Sequence, residues 1–166
     1  MRHYAGIGSR KSPPDILRVM QNIAFYLAQE KWILRSGRAI GADSAFEAGC
    51  DAAHGLKEIF VANDANQEAM RMAAEVHPMW FKLSPYAQKL HARNCFQILG
   101  RDLRTPCAFV LCWTPDGADG TKIKTSYDTG GTGQAIRLGA RHNIPIINMR
   151  NENWRAMLQD AVGKAC

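Results

Sequence analysis

Seven consecutive apolar residues, CAFVLCW at positions 107–113, constrain this chain more than any other stretch. A strand without polar alternation has to be covered on both faces, which calls for helical layers on each side of a sheet. The flanking segments supply such layers. Short apolar runs at 3–7, 32–35, 57–62 and 144–149 alternate with amphipathic runs at 15–31, 43–54, 66–77, 85–100 and 153–162. In the first helix Ile16, Val19, Met20, Ile23 and Leu27 recur at helical spacing. The pair Pro13–Pro14 suits its start, because proline lacks an N–H that would be orphaned there. Asp43 or Ser44 is placed to cap the second helix, and Ser84 with Pro85 to open the fourth. The expectation is an α/β fold: a single Rossmann-like domain over 1–166, with a mostly parallel sheet and helices on both faces.

Length and charge narrow the function without choosing it. One domain of 166 residues buries an ordinary core, and no apolar run approaches the roughly 20 residues that span a bilayer. The N-terminal MRHYAGIGSR lacks the apolar stretch of a secretory signal, so a cytoplasmic location without a membrane partner is expected. The five cysteines include no CxxC pair, and three lie in apolar segments, where they read as small hydrophobes rather than zinc ligands. No metal and no cofactor is expected. The net charge of +6 is dispersed, which suits a phosphorylated small molecule, a DNA strand or simple solubility.

Ligands of parallel sheets bind where strand ends meet helix starts, and three glycine-rich connections fall on that edge. In GIGSR, Gly6 and Gly8 would let a ligand approach the backbone, with Ser9 and Arg10 as polar contacts. The spacing departs from GxGxxG, since Lys11 holds the third position. In SGRAIGAD, Ser36, Gly37, Arg38, Gly41, Ala42 and Asp43 form a second candidate segment, with the Arg38 guanidinium suited to a phosphate. Asp43 and Glu47, four apart, are weak candidates for acid–base work; a cap plus a solvated glutamate is the plainer reading. Arg93 and Asn94 lie on a helix that reaches the same edge, and Trp113 ends the buried strand, where its ring would either stack on a base or cover the core.

The third connection, TGGTGQ, opens a helix with Thr129, Gly130, Gly131, Thr132, Gly133 and Gln134. Helix N-termini carry free N–H groups and partial positive charge, so an anion is the natural guest. A Walker A lysine is missing, which argues against triphosphate hydrolysis of that kind. The preceding 115–128 segment is long and polar, a candidate flap.

SGRAIGADSAFEAG together with GGTGQAIRLGARHNIPIIN resembles the SLOG group of Rossmann-like proteins, and the resemblance runs from GIGSR to IPIINM. That group includes DprA/Smf single-strand DNA-loading proteins, LOG-type nucleotide phosphoribohydrolases and sensor domains for NAD-derived signals. The likeness is greatest to small stand-alone DprA-like proteins of phage and bacterial genomes. It implies a nucleotide-like partner and self-association into a homo-oligomer. LOG enzymes carry PGGxGTxxE; here Thr129 stands at the proline, Gln134 at the threonine and Arg137 at the glutamate, so the hydrolytic acid is replaced by a cation. DprA-type DNA loading uses a basic pocket and usually a larger chain, and only Trp113 and scattered arginines offer a strand-binding groove here. The expectation is therefore a binder of an ADP-ribose or cyclic ADP-ribose derivative, for sensing or sequestration. A LOG-like N-glycosidic hydrolase and a single-stranded DNA binder remain the alternatives.

Overall fold

A computed structural model describes residues 1–164; Cys166 lies outside them. Five parallel strands form one sheet: β1 (Arg2–Gly6), β2 (Trp32–Ser36), β3 (Lys57–Ile59), β4 (Val110–Cys112) and β5 (Ile146–Asn148), in the order β3-β2-β1-β4-β5. The connections carry α1 (Pro14–Gln29), α2 (Ala42–Ala52), α3 (Gln67–Val76), α4 (Pro85–Leu99), α5 (Thr132–Arg141) and α6 (Trp154–Lys164). Register is set by pairs such as Ala5 with Arg35, Gly6 with Leu111 and Cys112 with Asn148. The α/β class and the parallel sheet read from the sequence are therefore present.

Alternation along β4 splits the core in two. Phe109, Leu111 and Trp113 pack with Tyr4, Trp32, Phe46 and Trp154 beneath α1, α2 and α6. Val110 and Cys112 pack with Phe60, Phe96 and Ile136 beneath α3, α4 and α5. Tyr4 and Phe109 stack with ring centroids 5.6 Å apart at the centre of the first layer. The regular part of β4 is shorter than the apolar run that announced it, yet the pairing with β1 continues beyond it: Ser9 N–H donates to the Trp113 carbonyl at 3.0 Å. The third strand stops at Ile59, short of 62, because the chain turns into a 3-10 helix over Ala62–Asp64, where Val61 N–H bonds to Asp64 Oδ2 at 2.7 Å.

Local signals placed several helix starts. Ser84 Oγ accepts from Ala87 N–H, with Pro85 opening α4, and Asn66 Oδ1 accepts from Ala69 N–H at α3. The second helix departs from expectation. It begins at Ala42 after Gly41 (φ 97°), with neither Asp43 nor Ser44 as a cap. Among the described residues no helix is long and apolar enough to cross a membrane.

Candidate functional site

The order of the strands creates a switch point between β1 and β4. The chain leaves β1 toward α1 on one face and leaves β4 toward α5 on the other, the arrangement at whose C-terminal edge open α/β sheets bind ligands. The loop after β1 sits against the start of α2: a Cβ at Gly8 would lie 2.7 Å from Ala42 Cβ, and one at Gly6 would lie 2.6 Å from Phe46 Cγ. These two glycines let α2 pack closely on the sheet. Gly41 rests in turn against the backbone of Ser9 and Arg10, which joins the first two glycine-rich loops. Arg10 and Arg38 are exposed along this join.

The loop after β2 is held by two carboxylates. Asp43 Oδ2 accepts from Gly37 N–H at 2.9 Å and Ala39 N–H at 3.3 Å. Glu47 Oε1 accepts from Ser36 Oγ at 2.7 Å and Arg38 N–H at 3.1 Å. The reading of Asp43 as a cap and Glu47 as a solvated glutamate is thus corrected: both face back to organise residues 36–39. Their bonds hold Arg38 at φ 58°, a left-handed conformation that costs a non-glycine residue roughly 1–2 kcal/mol. Asp43 is only 4 % exposed. Burial raises its pKa to about 6, against the opposing effects of the Arg93 charge and the Ala39 and Gly37 N–H bonds.

Two adjacent residues of α4 tie the rim together. Arg93 Nη1 donates to the Gly37 carbonyl, and to the Phe60 carbonyl at 3.2 Å. Asn94 Nδ2 donates to the Gly131 carbonyl at 3.4 Å. Arg93 is 9 % exposed and its buried Nε has no hydrogen-bond partner. Burial lowers its pKa, while the Asp43 carboxylate and then the Tyr86 phenol oppose that shift. Arg93 therefore lies under the β2 loop rather than pointing outward from it.

At the third connection the side chains divide. Thr129 is buried, with Oγ1 donating to Asp116 Oδ2 and accepting from Ser126 N–H at 2.8 Å. Gln134 is fully buried; its Nε2 donates to the Ala73 carbonyl at 2.9 Å and its Oε1 accepts from Arg137 Nη2 at 3.0 Å. Both were expected to offer polar contacts to a ligand, and both point into the fold. Gly130 and Gly131 are exposed, with nothing within 4 Å of an added Cβ, and α5 has no side-chain cap. Thr132 is partly exposed in the first turn, while Gly133 is buried beside Arg137. The Trp113 ring, 9 % exposed, belongs to the core and offers no free face for stacking.

Two residues that build this rim escaped the sequence reading. Asp116 accepts from Thr114 Oγ1 (2.8 Å), Ala118 N–H (3.2 Å), Ser126 Oγ (2.7 Å) and Thr129 Oγ1. Burial opposes its ionisation, but the hydrogen bonds from Thr129, Ser126 and Thr114 prevail and hold its carboxyl below the usual aspartate value. Asn148 then anchors Thr114, donating to its Oγ1 at 2.7 Å and to the Ala118 carbonyl at 2.9 Å. The available signal was a lone Asn in the apolar IPIINM and an Asp two residues after Thr114. A separate cleft of about 810 Å³ runs along β5, between Lys122, Asn143 and Met157, and does not coincide with the rim.

No protein-family model, curated protein or solved structure matches this chain.

Proposed function

We propose that the chain binds a nucleotide-derived small molecule of the ADP-ribose or cyclic ADP-ribose type at the C-terminal edge of its sheet, for sensing or sequestration, as a member of the SLOG group that self-associates. The observation that carries the reading is the bare N-terminus of α5. Gly130 and Gly131 leave open space over it and no side chain caps it; the Gly133 and Gln134 N–H groups bond back to the Gly130 and Gly131 carbonyls, and the partial positive charge of the helix start suits a phosphate. Exposed Arg10 and Arg38 add charge on the adjoining loops. The ligand class comes from the resemblance to the SLOG group. A hydrolytic reading is favoured by one feature, the Asp43 carboxyl raised to about 6, but both of its described hydrogen bonds serve the loop it holds.

Incubation with ADP-ribose followed by native mass spectrometry tests this. Intact, retained ADP-ribose supports binding; a liberated base or sugar phosphate supports hydrolysis instead. Salt-sensitive binding to single-stranded DNA that ADP-ribose does not compete with would replace both readings.

A further inference from the structure

The first two turns of α4 overhang the rim. Arg93 lies level with the ends of β2 and β3, where it meets the Gly37 and Phe60 carbonyls. The other end of the helix descends toward the start of β1: Cys107 N–H bonds to the Ile98 carbonyl and Ala108 N–H to the His3 carbonyl. The eight residues 85–92 continue from Arg93 away from the start of β1, over about 12 Å of helix at about 1.5 Å per residue.

That overhang presents aromatic surface which the fold does not use. Tyr86 is 65 % exposed. It stands seven residues before Arg93, two turns up the same helical face, so it looks over the β2 loop that Arg93 holds. The phenol is near enough to act on the Arg93 charge. The β2 loop carries an exposed apolar residue of its own, Ile40, 79 % accessible. Trp113 is committed to the core, and the other exposed aromatic beside the rim, Tyr127, lies in the turn that opens α5 rather than over the β2 loop.

We infer that Tyr86 is the base-stacking residue of the nucleotide site: phosphates lie at the rim and the base rises along α4 against its ring. Its spacing from Arg93 along the helix, about 10 Å from the helix rise, is on the scale of a nucleoside extending from its phosphates. A flat π-face accepts any base, so Tyr86 contributes affinity for nucleosides as a class. This inference rests on the rim being the nucleotide site.

Calorimetric titration of the full chain with ADP and, separately, with inorganic pyrophosphate tests it. In the wild type ADP binds more tightly than pyrophosphate. Tyr86→Ala weakens ADP on the order of tenfold and leaves pyrophosphate unchanged, while Tyr86→Phe retains ADP affinity. Because the residue is exposed, the variants keep the wild-type melting temperature, which is measured alongside. Wild-type ADP affinity in Tyr86→Ala overturns the stacking role and leaves the rim as a phosphate site. Binding of neither probe by the wild-type chain overturns the rim reading and the inference with it.

Discussion

The guanidinium of Arg93 occupies the space into which a side chain at Gly37 would project, with Asp43 Oδ2 3.0 Å from the same point. Gly37 is thus enclosed between a buried cation and a buried carboxylate, and the loop above them takes its shape from both. The exposed glycines of the α5 turn are in the opposite situation.

This contrast separates two glycine substitutions that look alike in the sequence. Gly37→Ala displaces Arg93 and lowers stability by roughly 1–3 kcal/mol, the usual cost of overpacking. Gly131 has φ −61° and open space, so Gly131→Ala leaves stability unchanged or raises it by up to about 1 kcal/mol. Urea denaturation of both variants checks the difference. Equal losses would show that the two turns are packed alike.

Asp43 imposes a pH dependence of definite sign. Its folded pKa, about 6, lies above the ordinary aspartate value of 3.8, so the folded chain holds the proton more tightly than the unfolded one. Its contribution to stability is fully present below about pH 4 and is lost as pH rises through 6. At about 1.4 kcal/mol per unit this amounts to about 3 kcal/mol. Asp43→Asn removes that slope, which shows as a smaller fall in melting temperature between pH 4 and 7 than in the wild type.

His91 acts in the reverse direction. Burial, followed by the charges of His77, Arg137 and Arg93, lowers its pKa from 6.5 to about 4, so the folded state favours the neutral ring. Stability from this group is complete above pH 6.5 and declines as pH falls toward 4. His91→Gln removes the decline, and the variant gains on the wild type in melts at pH 4.5 relative to pH 7. Direct NMR titration of the His91 ring supplies the folded pKa; a midpoint near 6.5 would contradict this prediction.

Asp116 holds the α5 turn from beneath. Asp116→Ala takes the acceptor from the buried Thr129 and Thr114 hydroxyls and from the Ala118 N–H, costing about 2 kcal/mol. Amide exchange over residues 126–131 accelerates, while exchange in β1 and β2 follows only the global loss. Unchanged exchange in that turn would mean that the glycines hold it without the aspartate.

Much of this architecture is legible in the chain because its signals are local. The unbroken apolar run of β4, the cap at Ser84, the proline starts of α1 and α4 and the glycine-rich strand ends each act within a few residues. Together they determine a parallel sheet with its loops gathered on one edge. Tertiary structure alone decided which polar residues on that edge face outward. A helix turns about 100° per residue, so whether Arg93 or Gln134 points outward depends on what lies beneath it. The partners that draw these side chains inward are backbone carbonyls of Gly37, Phe60 and Ala73, at separations of 56, 33 and 61 residues. A buried polar group must find such a partner. No local pattern announces a carbonyl that arrives from another element, and that is why the outward face of the rim passed to Arg10, Arg38 and the bare glycines.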